Sequence, residues 1–158
     1  MTSKSLIVDY SWSGHTATMA KALQKVSATD LIDLTVADDT FSTDMFATSK
    51  IATQQLASDQ LPALTNELPA LADYQTIFVG GPVWSGKVST PVRTFLSQLG
   101  SYQGTVVPFY TDAGTAGDYE ADFQNLLTNA SFKPGIGLSG DQLAQAETRL
   151  KTWWKKFN

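Results

Sequence analysis

A chain of 158 residues with 42% hydrophobic, 11% aromatic and 16% charged residues is most simply one domain, 1–158, able to bury roughly two-thirds of the surface that its unfolded form exposes, which excludes a disordered chain. It contains no Cys, which excludes disulfides, thiol catalysis and cysteine-held zinc or iron–sulfur centres, and its one His leaves little for a metal site, so none is expected. A net charge of −4 argues against nucleic acid, whose phosphates need clustered Lys and Arg.

The chain leads from Met1, Thr2, Ser3 and Lys4 straight into an apolar run without a leader-like segment. No apolar stretch approaches the roughly 18 residues of a membrane span, so the expectation is a cytoplasmic protein with no membrane partner. Leu6, Ile7 and Val8 predict a first strand. A Ser/Gly/Thr turn follows, then Met19, Ala20, Leu23 and Val26 at the spacing of one helix face. Leu31, Ile32, Leu34 and Val36, with Thr35, predict a second strand. Strand, helix and strand make a right-handed unit of a parallel sheet covered on both faces, which accounts for a first strand that is apolar throughout.

The spacing predicts a helix over 45–56, with Phe46, Ile51 and Leu56 as its large anchors. The connection over 60–74, with Pro62, Pro69 and several Leu, reads as an ordered cover for the core. Thr76, Ile77, Phe78 and Val79 predict a third strand that ends in the loop Gly80-Gly81-Pro82-Val83-Trp84-Ser85-Gly86-Lys87-Val88. Thr90 then caps a helix with Pro91 at its first position, burying Val92, Phe95, Leu96 and Leu99 and stopping at Gly100. A fourth strand over 105–110 precedes the loop Thr111-Asp112-Ala113-Gly114-Thr115-Ala116-Gly117 and a helix using Tyr119, Phe123, Leu126 and Leu127. A fifth strand over 132–138, interrupted by Pro134, Gly135 and Gly137, suits a sheet edge. Ser139 and Gln142 fit a capping box for a last helix with Leu143, Ala146, Leu150, Trp154 and Phe157 on one face. The Trp153-Trp154 pair is expected in the core.

Five strands alternating with five helices predict an α/β three-layer, doubly wound parallel sheet, whose ligands bind beyond the carboxyl ends of the strands. The loops after strands one, three and four therefore converge on one edge. The first holds the hydroxyls of Ser11, Ser13 and Thr16 with Gly14 and no carboxylate, and runs into a helix N-terminus whose amides lack partners. That combination suits a phosphate.

Ser11-x-Ser13-Gly14-x-Thr16 resembles the phosphate loop of flavodoxins, which holds the monoester phosphate of FMN. Gly80-x-Pro82-x-Trp84, with Thr90-Pro91-Val92-Arg93-Thr94-Phe95-Leu96, resembles the second flavin loop and following helix of a bacterial flavodoxin-like subfamily; Pro108-Phe109-Tyr110-Thr111-Asp112-Ala113-Gly114 resembles its third flavin segment. The resemblance covers essentially the whole chain, without the roughly 20-residue insertion of long-chain flavodoxins. It implies a five-stranded sheet in the order 2-1-3-4-5 and FMN as cofactor. By that resemblance Ser11, Trp12, Ser13, Gly14, His15 and Thr16 surround the phosphate. Pro82, Val83, Trp84, Ser85, Gly86 and Lys87 flank the ring, and Thr111, Asp112, Ala113, Gly114 and Gly117 close its other side. Trp84 is expected to face the ring, so that its truncation weakens flavin binding and spares the fold.

Two positions depart from the pattern that the resemblance implies: His15 stands where the family commonly has Asn or another polar residue, and Asp9 where it usually has an apolar or aromatic strand residue. A carboxylate buried at Asp9 needs a partner or a raised pKa. Rival readings fail on single residues. Gly81 to Lys87 mimics a nucleotide-binding P-loop, but position 88 is Val where a magnesium-binding Ser or Thr is required. A receiver domain needs an Asp where the third strand ends in Gly80-Gly81, and no G-x-S-x-G elbow supports a hydrolase. No residue is assigned as catalytic. Three functions stay open: an electron carrier docking a redox partner protein, an enzyme passing hydride from NAD(P)H to a quinone or nitro acceptor, and a flavin-free interaction domain.

Overall fold

The computed structural model describes residues 4–156. Strands β1 (Ser5–Asp9), β2 (Asp30–Asp33), β3 (Thr76–Trp84), β4 (Lys87–Val88), β5 (Thr105–Asp112), β6 (Ser131–Phe132) and β7 (Ile136–Ser139) alternate with helices α1 (His15–Ser27), α2 (Met45–Ser58), α3 (Thr90–Ser97), α4 (Tyr119–Asn125) and α5 (Ala146–Trp154). The parallel sheet runs β2-β1-β3-β5, with β6 and β7 both on the far edge of β5. Alternate residues of the central strands face opposite layers. Leu6, Val8, Ile77, Val79 and Val106 pack with Val92, Phe95, Tyr119 and Phe123 of α3 and α4. Ile7, Phe78, Val107 and Phe109 pack with Met19, Leu23, Leu150 and Trp153 of α1 and α5. Both faces are thus sealed, and only the strand ends remain as a place for a ligand.

Several expectations need correction. The single fifth strand is two pieces, because Pro134 has no amide to give and the Gly135 amide donates to Glu120 Oε1 at 2.9 Å instead of to a strand. The expected loop after strand three is a hairpin: β3 continues to Trp84 and turns back into antiparallel β4. β2 ends at Asp33; Val36 instead forms an isolated antiparallel bridge with Leu64. On α2 the anchors are Thr48 and Ala52, while Phe46 is 80% and Leu56 45% exposed. Ser89, not Thr90, is the N-cap of α3, which puts Thr90 at its first position. The Ser139–Gln142 capping box precedes a 3₁₀ stretch, Gly140–Gln145, and α5 begins only at Ala146. Phe157 lies outside the described residues. The 60–74 connection covers the core as expected, through Leu64, Leu68 and Leu71.

Candidate functional site

β1 ends beneath the first loop. Gly14, at φ 100°, turns the chain into α1 and is its N-cap; it has no side chain to offer the first amides, and no acidic residue stands in the first turn. Within the loop, the Gly14 amide donates to Ser11 Oγ at 3.1 Å. Ser13 and Gly14 are exposed, so the uncapped helix end faces solvent with its partial positive charge unopposed. Thr16 differs from the expectation that all three hydroxyls serve a phosphate: it is buried, and its hydroxyl shares a 2.8 Å hydrogen bond with that of Thr111. Its contribution to the loop mouth is therefore left to its backbone.

That Thr16–Thr111 bond ties the first loop to the third. The second and third are tied at Gly86 and Gly117, where a Cβ on Gly117 would stand 2.7 Å from the Gly86 Cα, and where the Asp118 amide donates to the Gly86 carbonyl at 3.1 Å. The first and second meet through Tyr10, edge-on to Trp84 with ring centroids 6.0 Å apart. The three sequence-derived loops thus close a triangle at one edge of the sheet. In the hairpin, Ser85 (φ 53°) and Gly86 (φ 74°) supply the two left-handed residues that a tight two-residue turn needs. Pro82 lies opposite Thr111 in the β3–β5 register, and Lys87 pairs with Trp84. Asp112 accepts the Gly114 amide at 2.8 Å, shaping the exposed Ala113-Gly114 turn. His15 is exposed and lies beside Gly140.

Sequence reasoning missed three elements of this site. Phe41, from the β2–α2 connection, packs edge-on to Trp84 at 5.1 Å. Trp84 is consequently half-buried among Tyr10 and Phe41 instead of merely presented to a ligand. The Trp12 indole N–H donates to the Ser42 carbonyl at 2.9 Å and holds that connection against the first loop; between them runs a groove of about 550 Å³ whose walls include Tyr10, Trp12, Val36 and Phe41. No periodicity carries contacts separated by about 30 or more residues. The third element is the pair Arg93 and Asp122, which brackets β4.

Asp9, the last residue of β1, is 1% exposed, and among the described residues neither carboxylate oxygen has a hydrogen-bond partner. Burial raises its pKa to about 9, and nearby Asp33, opposite it in the β1–β2 register, pushes the same way against a smaller opposing pull from Lys21. At neutral pH Asp9 is therefore an uncharged acid. Among the described residues, no group of three or more His, Cys, Asp or Glu could hold a metal ion, and no helix is long and apolar enough to cross a membrane.

A family model described as Flavodoxin matches residues 4–157. The fold is shared with a flavoprotein from Lactobacillus acidophilus crystallised with FMN, 31% identical over 91% of this chain and 98% of that one, at a TM-score of 0.80. The apo-form of the Lactobacillus acidophilus flavoprotein, in solution, is 33% identical over 92% of this chain and 98% of that one, at a TM-score of 0.68. A protein of Bacteroides uniformis described as a flavoprotein is 25% identical over 98% of this chain and 99% of that one, at 0.82. Among curated proteins nothing matches the sequence.

Proposed function

The chain belongs to the flavodoxin family, and we propose on that premise that it binds FMN non-covalently at the three joined loops and serves in electron transfer. The observation that carries this reading is the α1 N-terminus: an uncapped helix end without an acidic residue, fronted by Ser11, Ser13 and Gly14. An anion there gains both hydrogen bonds and the helix dipole. The remaining residues fit the rest of FMN. Trp84 offers an aromatic surface, and Gly114, with open space where a Cβ would stand, leaves room for a flat ring to approach the backbone. When bound, FMN supplies the electron-transfer chemistry itself.

The chain's own residues bind and orient. Ser11 and Ser13, with the first amides of α1, hold the phosphate. Pro82, Val83, Trp84, Ser85, Gly86 and Lys87 form the wall on one side of the ring, and Thr111, Asp112, Ala113, Gly114 and Gly117 the wall on the other. His15 and Trp12 border the phosphate loop.

A second reading, passage of hydride from NAD(P)H to a quinone or nitro acceptor, is favoured by the aromatic groove bordered by Tyr10, Trp12 and Phe41, which shares Tyr10 and Phe41 with the packing of Trp84. Anaerobic addition of NADPH to the FMN-loaded protein separates the two. A carrier keeps its yellow absorbance until a redox partner or chemical reductant is supplied. Rapid bleaching by NADPH alone, reversed by quinone, overturns the carrier in favour of the reductase. Protein that gains no flavin absorbance on addition of FMN overturns both.

A further inference from the structure

Among the described residues β4 pairs with β3 alone, so the outward backbone groups of Val88 have no strand beside them. Two side chains take that place. The Val88 amide donates to Asp122 Oδ2 at 3.0 Å, the Val88 carbonyl accepts from Arg93 Nε at 3.0 Å, and Arg93 Nη2 donates to the same Asp122 oxygen. The two side chains are only 12% and 15% exposed, so the pair is held out of water and not screened as a surface ion pair is. Arg93 stands on α3, directly after the hairpin, and Asp122 on α4, directly after the third loop.

The hairpin is therefore fixed to the third-loop unit at two heights. At its tip the tie is backbone: the Gly86 carbonyl accepts the Asp118 amide, and Gly86 lies against Gly117. At its stem the tie is Arg93 and Asp122. Hinging at either point would change the separation between the hairpin that carries Trp84 and the Ala113-Gly114 turn. A planar ring binding between two walls is sensitive to that separation, because dispersion contacts fall away steeply with small gaps.

We propose that Arg93 and Asp122 are positioning residues that set the width of the slot between the second and third loops, and thereby the affinity and electronic environment of a bound isoalloxazine ring, without touching it. This rests on the FMN reading above. It goes beyond that reading in dividing the site into a phosphate half, fixed by α1, and a ring half whose geometry is set by one partly buried ion pair.

The test compares FMN and riboflavin, which share the ring and differ in the phosphate, on the full chain and its variants. Arg93→Ala is expected to weaken both flavins by about tenfold or more, one step of about 1.4 kcal/mol, and by the same factor, leaving the FMN-to-riboflavin ratio unchanged. At saturation the visible absorption of the bound flavin moves toward that of free flavin, a change that a loss of global stability alone does not produce. Asp122→Asn keeps an acceptor for the Val88 amide and is expected to retain most of the affinity that Asp122→Ala loses. If Arg93→Ala does not fold, Arg93→Lys keeps the charge but gives up the Nε–H to Val88, and a loss of about threefold in both flavins is expected. Unchanged flavin affinity and spectrum in folded Arg93→Ala or Arg93→Lys overturns the positioning role while the FMN reading stands. A changed ratio with an unchanged spectrum also overturns it, by placing the effect on the phosphate half. Failure of the unaltered protein to bind either flavin overturns the FMN reading and the proposal with it.

Discussion

Trp84 is committed twice: to the ligand, by its place on the hairpin, and to the protein, by edge-on contacts with Tyr10 and Phe41. Trp84→Ala should therefore weaken FMN by about 1–3 kcal/mol, the scale of aromatic stacking on a base. It should also cost the apo-protein about 1–3 kcal/mol, since each edge-on aromatic pair contributes about 0.5–1.5 kcal/mol beyond buried area. Denaturant unfolding and a flavin titration on the one variant check both, and a loss confined to stability would move Trp84 out of the site. Asp9 yields a prediction with a definite sign. Its folded pKa, about 9, lies above the ordinary value of 3.8. Below pH 4 both folded and unfolded chains hold the proton; between pH 4 and 9 only the folded chain does, and stability falls as pH rises by up to about 1.4 kcal/mol per unit. Asp9→Asn has no proton to lose, so its stability relative to the unaltered chain should climb steadily from pH 5 to pH 8. Parallel stability curves over that range would show that Asp9 titrates normally.

At the scale of elements, the contact that joins the two ring-flanking loops is a glycine pair. Gly117 sits at φ 57° with a would-be Cβ 2.7 Å from the Gly86 backbone, whereas Gly100 has nearly the same φ, 54°, with open space around it. Gly100→Ala should cost only the left-handed conformation, about 1–2 kcal/mol. Gly117→Ala should cost clearly more, and should weaken FMN as well by forcing the hairpin away from α4; equal destabilisation of the two variants, read from thermal melts, would mean that the loops are not in firm contact. The hairpin also shows where sequence reasoning stops. The phosphate loop was legible because its chemistry is local: hydroxyls, a glycine and a helix start within six residues. The sequence predicts β3 only to Val79, whereas the strand runs on through Gly80, Gly81 and Pro82 to Trp84; the signal for the hairpin is the Ser85-Gly86 dipeptide, which supplies the two left-handed turn residues. The expected anchors of α2 also fail. Phe46 and Leu56 lie off the buried face of α2, which is lined by the small Thr48 and Ala52.

For the whole molecule, the alternation of apolar runs with amphipathic helices was sufficient to predict the layered parallel sheet, since any strand buried on both faces must be apolar throughout. What it could not supply were the contacts that turn three loops into one site: Thr16 with Thr111, Tyr10 with Trp84, Phe41 with Trp84, Arg93 with Asp122. Each joins segments that only the completed fold brings together. On the proposed reading this convergence binds FMN, with its phosphate at the α1 N-terminus. The most direct measurement is a parallel titration of flavin-free protein with FMN and riboflavin, followed by quenching of flavin fluorescence. FMN is expected to bind at least tenfold more tightly, about 1.4 kcal/mol, which is no more than one charge-assisted hydrogen bond to the phosphate contributes. Equal affinities, or riboflavin the tighter, would contradict that reading.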